Sequence, residues 1–476
     1  MILDQNEVLN VLRQMNPWWQ GQPPSGLFKW RRAAYQEIEN WLMHPPSKRA
    51  VLVSGARQIG KTTLLLQVVE SLLAKGVPPS NILYASFDHP MLKLTGLEKL
   101  VKLWQEAETL QEGTEYLLLD EIQYTKDWQV WLKHQVDFTG NRRIAVTGSA
   151  TPLNRDNLES GVGRWHTVEL ATLSFYEYLK ITHHDKVGLP TVKTLQSLFD
   201  WPENQFGTVS ARAHALTALF HKYILQGGFP ETATVSNFHT AQKLLREDIV
   251  DKVLKRDMTA LYGVRNILEL EQVFLYLCMT EGGILDITQL CQRLELKKPT
   301  VSSFIDLLES THLIYKLKPH GYGKEVIRGK SKMYLAHPSI SHAVLMKGKA
   351  IDTDESLLGK SVETAFFRHV FARYYARSIG FSYWRSKKPK EVEVDIIAEV
   401  DGRAIPFEVK YRSTHTTARD LQGIIEFCKE KKVSRGYVIT KELSDFGVLK
   451  IDDIEILKVP APLACYWLGK SEMTEA

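Results

Sequence analysis

The stretch AVLVSGARQIGKTTLLLQVVESLL, residues 50–73, constrains the fold of this chain more than any other. An apolar run leads into a glycine-bounded loop, and Leu and Val then recur at helical spacing. The pattern G-x4-G-K-T in a strand–loop–helix context is that of a phosphate-binding loop, whose backbone N–H groups surround a phosphate at the positive end of a helix. We expect the lysine to reach the β- and γ-phosphates of ATP and the first threonine to hold Mg²⁺. The predicted nucleotide-binding residues here are Gly55, Gly60, Lys61, Thr62 and Thr63.

A second motif, EYLLLDEIQ at residues 115–123, follows as an apolar run that ends in two acids. Asp120 is expected to order Mg²⁺ beside Thr62, and Glu121 to polarise the attacking water. The two motifs together predict ATP hydrolysis.

Three further residues are candidates for sensing the nucleotide. The strand-like run RRIAVTGSA, residues 142–150, ends in Thr147 and Ser149, and both are predicted sensors of the γ-phosphate or, alternatively, plain caps of a strand end. Arg164 is a candidate arginine finger acting on a second copy, or else a solvated loop residue.

One more strand, NILYASFD, lies between the two motifs, as in the additional-strand class of P-loop ATPases. Alternating β and α signals over 51–170 predict a mostly parallel sheet with helices on both faces.

Length and composition limit the remaining possibilities. A chain of 476 residues is too long for one core, so two to four domains are expected. There is no apolar run of about 18 residues, and therefore no membrane partner is predicted. The first residues lack the apolar core of a signal peptide, and four scattered cysteines argue against zinc and disulfides. We expect a cytoplasmic protein, and the net charge of +5 permits a polyanionic partner.

Several motifs occur together in an order that resembles a known family. These are NPWW, GARQIGKTTLL, LLLDEIQ, TGSA, LSFYEYL, LQGGFPE and DKVLKRDMTALYGVRN. The chain resembles prokaryotic AAA-type P-loop ATPases with a C-terminal domain of unassigned function, although the proline usual before LSF is replaced by threonine here. The resemblance implies an ATPase architecture and says little about the substrate.

The middle of the chain predicts helices and then a winged helix. Residues 206–275 have a helical pattern and are interpreted as the lid that follows the ATPase core. Residues 284–336 predict two helices, the second with Pro299 in its first turn, followed by a strand and a basic segment with six Lys/Arg and one Glu between residues 316 and 332. This arrangement fits a recognition helix and wing on double-stranded DNA, or a winged helix used for protein packing. The residues expected to face DNA are Lys297, Lys298, Thr300 and Ser303.

Near the C-terminus, EVDIIAEVDGRAIPFEVKYR, residues 393–412, predicts a β-hairpin closed by Asp401-Gly402. In the register that this turn sets, Ile396 faces Phe407 on an apolar side. Asp395 then lies opposite Glu408, with Cβ atoms about 4.5–5.5 Å apart, which is destabilising for like charges. We interpret this pair as the ligands of a divalent cation that would relieve the repulsion.

The spacing Asp-x12-Glu-x-Lys resembles the core of PD-(D/E)xK nucleases. This resemblance implies that Asp395 and Glu408 hold Mg²⁺, that Lys410 assists, and that Glu363 on the preceding helix completes the site. Three alternatives stay open: Glu393 and Lys410 form a plain ion pair, Glu363 is a solvated helix residue, or the fold has lost its chemistry and serves as a binding platform.

The predicted chain is thus an α/β multidomain protein. Its parts are an N-terminal arm at 1–25, an AAA-type P-loop ATPase with a parallel sheet at 26–205, a helical lid at 206–280, a winged helix at 281–345 and a restriction-endonuclease-like domain at 346–476. The expected function is ATP hydrolysis coupled to DNA by a Mg²⁺-dependent nuclease, possible in genome defence or repair. The alternatives are an ATP-switched binding protein with an inactive nuclease-like domain and a regulator of protein contacts. Candidate partners are DNA, a second copy of the chain bound through the ATPase domain, and another protein.

Overall fold

The computed structural model describes residues 4–149, 163–321, 323, 326, 328–348, 354–386, 392–414, 416–417 and 419–475. The chain divides into two compact units. The first comprises the residues up to Leu170 together with Ser310–His312, and the second comprises Ala171–Glu309 and Leu313–Glu475. The predicted boundaries at residues 25, 205, 280 and 345 stay predictions.

The first unit is built on a five-stranded sheet in which every neighbouring pair is parallel. Its strands are β1 (Ala50–Ser54), β2 (Ile82–Ser86), β3 (Glu115–Asp120), β4 (Arg142–Gly148) and β5 (Trp165–Glu169). All five residues of β1 are buried, and because successive side chains point to opposite faces, both faces of the sheet are covered there. The predicted parallel sheet is confirmed.

The strand order is β2-β3-β4-β1-β5. The strand that separates the phosphate-loop strand β1 from β3 in the sheet is therefore β4. NILYASFD, which lies between the two motifs in sequence, forms β2 at the edge of the sheet. The helices of this unit are Gln5–Met15, Tyr35–Met43, Lys61–Ala74, Pro90–Thr95, Leu97–Ala107 and Trp128–Phe138.

The second unit begins with a helical region, as the sequence pattern predicts for residues 206–275. Its helices are Phe175–Ile181, Glu203–Arg212, His214–Gln226, Pro230–Thr234, Phe238–Arg246, the π-helical segment Glu247–Asp257, Met258–Tyr262 and Ile267–Met279. The helical content is confirmed, and the assignment of this region as a lid stays a prediction.

The rest of the second unit is organised around an eight-stranded mixed sheet of order β12-β13-β11-β10-β9-β8-β6-β7. Its strands are β6 (Ile314–Pro319), β7 (Lys332–Leu335), β8 (Ser378–Arg385), β9 (Glu393–Val400), β10 (Arg403–Lys410), β11 (Arg435–Thr440), β12 (Gly447–Ile451) and β13 (Ile454–Pro460). The helices associated with it are Ile287–Leu294, Lys298–Ser310, Ser339–Val344, Glu355–Tyr374, Gln422–Lys431 and Ala461–Glu475.

The predicted winged-helix segment forms two helices and the antiparallel pair β6–β7. Helix Lys298–Ser310 starts one residue before Pro299, and its apolar side chains, among them Val301 and Phe304, are buried. Strand β6 also pairs with β8, through Lys318 and Pro319, so this hairpin continues into the large sheet. The winged-helix assignment stays a prediction.

The C-terminal hairpin has the predicted register. Ile396 faces Phe407 and Ile405 faces Ala398 across β9 and β10. Asp401 and Gly402 both have positive φ, 51° and 74°, which is the backbone of a type I′ turn. Helix Gln422–Lys431 and strand β11 follow the hairpin, and β11 is parallel to β10. In the part of the chain that the structure describes, no helix has the length and apolarity needed to cross a membrane.

A close backbone contact at Gly423 holds helix Gln422–Lys431 against β9. A Cβ added to Gly423 would lie 2.2 Å from the carbonyl oxygen of Glu393, whereas one added to the exposed helical Gly207 would meet nothing within 4 Å. We expect Gly423→Ala to lower the free energy of unfolding by about 1–3 kcal/mol, because backbone atoms must move apart. Gly207→Ala is the control and should raise that free energy by about 0.5–1 kcal/mol. Urea unfolding curves measure both, and equal effects of the two substitutions would contradict the contact.

A buried carboxyl gives the second unit a pH-dependent stability. Glu281 is 4% exposed, and burial raises its pKa from 4.5 to about 7. The unfolded chain therefore loses this proton at lower pH than the folded chain, so stability is retained below pH 4.5 and falls as pH rises to 7. Glu281→Gln should remove roughly 3 kcal/mol of the decline between pH 4.5 and 8. The measurement is urea unfolding of both chains at several pH values, and an unchanged decline in the variant is the contrary result.

Candidate functional site

The phosphate loop of the first unit joins β1 to helix Lys61–Ala74. Gly60 adopts φ +93° directly before the helix, and a Cβ on Gly55 would lie 2.3 Å from the carbonyl oxygen of Leu170, so both positions require glycine. Lys61 is 4% exposed, and its ammonium donates to the carbonyl oxygens of Gly55 at 2.9 Å and Ala56 at 2.8 Å. The Lys61 ammonium is thus hydrogen-bonded to the backbone of its own loop.

The two motifs meet through one hydrogen bond. The Thr62 hydroxyl donates to Asp120 Oδ2 at 2.7 Å, and the Tyr84 hydroxyl donates to the same oxygen at 3.1 Å. Asp120 ends β3 and is 2% exposed, and burial together with the neighbouring Glu121 raises its pKa. A hydroxyl and a carboxylate side by side at a phosphate loop are hard oxygen donors, which fit Mg²⁺.

The predicted sensors lie next to these acids, at the carboxyl edge of the sheet. The Thr147 hydroxyl donates to Asp120 Oδ1 and accepts the backbone N–H of Glu121 at 3.0 Å. Gln123, which the sequence reasoning missed, donates to the Glu121 carboxylate and to Ser149 Oγ at 3.1 Å. Its only sequence signal is its place in the motif DEIQ. The structure brings these residues together, and their roles as sensors stay predictions.

Arg164 lies at the amino-terminal end of the strands of this sheet, opposite the end that carries the phosphate loop. It directly precedes β5, whose first residue pairs with Ala50 at the start of β1, whereas the phosphate loop follows the end of β1. Five residues of strand span roughly 16 Å. The Arg164 guanidinium forms an ion pair with Asp137, with Nε 3.3 Å from Oδ1. Arg164 is therefore remote from the phosphate loop of its own chain, and action on a second copy stays a prediction.

The second unit contains a cluster of carboxylates around one buried lysine, and we call it the lysine cluster: Lys332, Glu363, Glu393 and Asp395. Lys332 opens β7 and is 2% exposed. Its Nζ lies 2.7 Å from Glu363 Oε1, 2.9 Å from Glu393 Oε1 and 2.7 Å from Asp395 Oδ1. One ammonium thus contacts three carboxylates.

Glu363 reaches the lysine cluster from helix Glu355–Tyr374. The apolar side chains on this helix, which include Val362 and Phe366, are buried. The Glu363 side chain is 14% exposed and accepts a hydrogen bond from the Tyr334 hydroxyl at 2.6 Å. Glu363 is therefore not a solvated helix residue, and burial raises its pKa.

Asp395 and Glu408 leave the regular ladder at the end of the hairpin. The described register of β9 and β10 ends at Ile396 and Phe407, and Asp395 Oδ2 then accepts the backbone N–H of Val409 at 2.8 Å. Burial raises the pKa of Asp395, but the ammonium groups of Lys332 and Lys410 and the hydrogen bonds to Asp395 together lower it further, so the pKa lies below its usual value.

Glu408 and Lys410 form an ion pair beside Asp395. Glu408 is 4% exposed, and its Oε2 has no hydrogen-bond partner among the residues that the structure describes. Burial and the neighbouring Asp395 raise the pKa of Glu408 well above its usual range. The alternative of a Glu393–Lys410 ion pair is not what the structure shows. Lys410 pairs with Glu408, and Glu393 pairs with Lys332 and Arg385.

Lys332 supplies a positive charge beside Asp395, and the roles of Asp395 and Glu408 as metal ligands stay predictions. Both oxygens of Asp395 already accept hydrogen bonds, from Lys332 and from Val409. Across the described ranges, no group of three or more His, Cys, Asp or Glu residues is arranged to hold a metal ion. The residues as they stand do not fit a metal between Asp395 and Glu408. The sequence reasoning counted Lys332 as a surface base, although its place before the apolar run MYLA signals a buried strand.

Comparison with known protein families assigns three regions. Residues 47–179 match the model of the AAA domain. Residues 217–350 and 358–461 match two domains of unknown function, DUF8612 and DUF4143.

Relatives occur in distant organisms, and their descriptions name no activity. An uncharacterised protein of Haemophilus influenzae is 24% identical over 416 residues, which cover 84% of this chain and 93% of the relative. One from Methanocaldococcus jannaschii is 25% identical over 412 residues, covering 84% and 82%. One from Mycobacterium tuberculosis is 25% identical over 403 residues, covering 83% and 77%.

Similar solved structures include the Aeropyrum pernix ORC1 protein in complex with DNA, with 15% identity, a TM-score of 0.29 and coverage of 67% of this chain and 91% of that chain. The Thermotoga maritima RuvB Holliday junction branch migration motor has 15% identity, a TM-score of 0.27 and coverage of 66% and 90%. AMPPCP-bound DnaA from Aquifex aeolicus has 16% identity, a TM-score of 0.25 and coverage of 58% and 86%. At these TM-scores the similarity carries no functional conclusion. The sequence match and the parallel sheet identify residues 47–179 as an AAA-type P-loop ATPase domain.

Proposed function

We propose that the protein binds ATP with Mg²⁺ and hydrolyses it in the first unit. The observation that carries this proposal is the 2.7 Å hydrogen bond between Thr62 and Asp120 beside the loop of Lys61. It joins the two motifs that act on a nucleoside triphosphate at the carboxyl edge of one parallel sheet.

Each side chain has a distinct task in this proposal. Lys61 exchanges the carbonyl oxygens of its own loop for the β- and γ-phosphates, which bind an ammonium more strongly. Thr62 and Asp120 would hold Mg²⁺, which supplies neutralisation of phosphate charge when bound. Glu121 accepts a proton from the attacking water, and Gln123 fixes the direction of its carboxylate.

Two substitutions separate binding of ATP from hydrolysis. Lys61→Ala should abolish both, because the loop loses the ammonium that would contact the β- and γ-phosphates. Glu121→Gln should keep ATP binding and lower kcat by about 10²-fold or more, because the amide does not accept the proton of water. Phosphate release measures kcat, and a fluorescent ATP analogue measures binding.

The matched control is Lys99→Ala, which removes an exposed lysine of the same unit and should leave both quantities unchanged. Turnover that survives Lys61→Ala would refute the assignment.

We further propose that the second unit binds double-stranded DNA through the start of helix Lys298–Ser310. Lys297, Lys298 and Ser303 are exposed there, and Thr300 is half-buried. An exposed pair of lysines at the start of a helix suits contact with phosphates.

The basic segment 316–332 contributes less to DNA binding than its composition predicts. Lys316 pairs with Asp306 and Glu309, each at 2.7 Å, and Lys330 pairs with Asp286 at 2.5 Å. The remaining described bases outside the lysine cluster are Lys318 and Arg328, both exposed, and Lys324 lies outside the described residues.

The C-terminal hairpin supports a nuclease-like domain, but its contacts favour a domain that does not cut. Glu363, Asp395, Glu408 and Lys410 lie near one another, as the PD-(D/E)xK resemblance requires. Lys332 neutralises the carboxylates that would hold the metal. We therefore favour an ATP-dependent DNA-binding protein with an inactive nuclease-like domain over a Mg²⁺-dependent nuclease. A regulator in which the ATPase controls protein contacts alone is the remaining alternative.

Binding and cutting of DNA can be measured in one reaction. With a labelled duplex in Mg²⁺ or Mn²⁺, we expect binding that weakens as salt rises and DNA that stays intact on denaturing gels. Lys297→Glu with Lys298→Glu should lower affinity about tenfold or more and reduce the salt dependence, because two phosphate contacts are lost.

The control for DNA binding, Lys186→Glu with Lys193→Glu, makes the same change of charge at other exposed positions of the second unit. Equal losses for both pairs would contradict the proposed surface. Metal-dependent cleavage that disappears in Lys410→Ala would establish the nuclease instead.

A further inference from the structure

The phosphate loop of the first unit leaves β1 at Ser54, and two polar groups of this residue are held by other parts of the chain. Its backbone carbonyl accepts the N–H of Leu170 at 2.7 Å. Its side-chain Oγ lies 2.8 Å from Nε2 of His312, a residue 258 positions further along the chain, and Ser54 is 4% exposed. The start of the loop is therefore fixed by contacts from residues outside the loop.

His312 belongs to the first unit through the short segment Ser310–His312, whereas Glu309 and Leu313 on either side belong to the second. The residue is 6% exposed and has φ +56°, the left-handed conformation that residues with a Cβ rarely adopt. Its Nδ1 lies 3.2 Å from Glu169 Oε1. A backbone of this kind persists only where surrounding contacts hold it, and the contacts of both ring nitrogens are among them.

A neutral imidazole at His312 satisfies both neighbours at once. Its Nδ1–H donates to the carboxylate of Glu169, and its Nε2 accepts the hydroxyl of Ser54. Serine, imidazole and carboxylate in this order are also the connectivity of a nucleophilic triad. A nucleophile must reach its substrate, whereas Ser54 and His312 are both buried. The contacts therefore hold Ser54 in place and do not activate it.

The position of Ser54 matters because Gly55 follows it directly. The Gly55 carbonyl accepts the Lys61 ammonium at 2.9 Å, and a Cβ added to Gly55 would lie 2.3 Å from the carbonyl oxygen of Leu170. The loop backbone thus has little room to shift on this side. A displacement of Ser54 would turn the first peptide groups of the loop away from the phosphates, and small errors of position weaken such contacts strongly.

We propose that His312 is a positioning residue of the phosphate loop, and that the ATP site of the first unit is complete only with the segment Ser310–His312. The match to the AAA domain covers residues 47–179 and does not include this segment. The inference rests on the proposed binding and hydrolysis of ATP. Because Thr62 and Asp120 are joined by their own hydrogen bond, loss of the His312 side chain should weaken ATP binding and leave the chemical step largely unchanged.

The test measures ATP affinity and turnover of the full-length chain in the presence of Mg²⁺. In His312→Ala, the Kd of a fluorescent ATP analogue and the KM for ATP should rise about tenfold or more, because a buried hydroxyl loses its partner. The kcat at saturating ATP should change less than about twofold, since uniform binding is what is lost. His312→Gln, whose amide can reach the position of Nε2, should recover most of the affinity.

A second variant tests whether Ser54 and His312 act as one contact. Ser54→Ala should raise the Kd as His312→Ala does, and the double variant should show no further rise, because each substitution removes the same interaction. The matched control is His183→Ala. His183 is also a histidine with left-handed φ, +59°, but it is exposed and lies in the second unit, so this change should leave Kd and kcat at the wild-type values.

Loss of folding is separated from loss of positioning by His312→Gly. Glycine adopts the left-handed backbone without steric cost, so this variant should fold and still show the raised Kd. Urea unfolding of every variant is measured beside its affinity. If no variant at His312 folds, Ser54→Ala decides: a raised Kd supports the inference and a wild-type Kd overturns it.

Two other results would overturn the inference. The first is a folded His312→Ala or His312→Gly chain with the wild-type Kd, and the second is a double variant in which the two rises in Kd multiply. A wild type that neither binds nor hydrolyses ATP refutes the proposed function itself. Normal turnover by the wild type together with unchanged affinity in the His312 variants refutes this inference alone, so the two failures are distinguishable.

Discussion

The contact of the Lys332 ammonium with Glu363, Glu393 and Asp395 is the interaction on which the second unit depends. Buried carboxylates tolerate the low-dielectric interior only when they are paired and hydrogen-bonded. Here a single side chain connects strand β7, strand β9 and helix Glu355–Tyr374. Loss of this charge would leave acids from two elements facing each other in the interior. The charge balance of the lysine cluster and the packing of these elements therefore depend on the same side chain, Lys332.

The first unit handles a buried acid differently. Asp120 contacts the hydroxyls of Thr62, Thr147 and Tyr84, which are neutral donors. Burial and the neighbouring Glu121 raise the pKa of Asp120, although the hydroxyls and the nearby ammonium of Lys61 lower it in part. A carboxylate stabilised by hydroxyls keeps its charge available for a cation that arrives with a nucleotide. The charge of a carboxylate that is bound to a fixed ammonium, as that of Asp395 is, is already balanced within the chain.

Local patterns were sufficient for much of the fold. The phosphate loop, the parallel sheet and the apolar stripe of helix Glu355–Tyr374 follow from spacing and periodicity alone. The register of β9 and β10 follows from Asp401-Gly402, because a two-residue turn with positive φ at both positions fixes which residues face each other. The position of β2 at the sheet edge did not follow, because sequence order does not set strand order in a parallel sheet.

The sequence by itself determined the phosphate-loop motif and the register of the C-terminal hairpin as far as Ile396 and Phe407. Both depend on residues close together in the chain, where a turn or a helix start sets the geometry. Only the tertiary structure decided what balances the acids of the second unit. Lys332 lies 63 positions from Asp395 and reaches it because β7, β6, β8 and β9 are consecutive in one sheet. Pairing over that distance depends on strand order and burial, which no local pattern encodes.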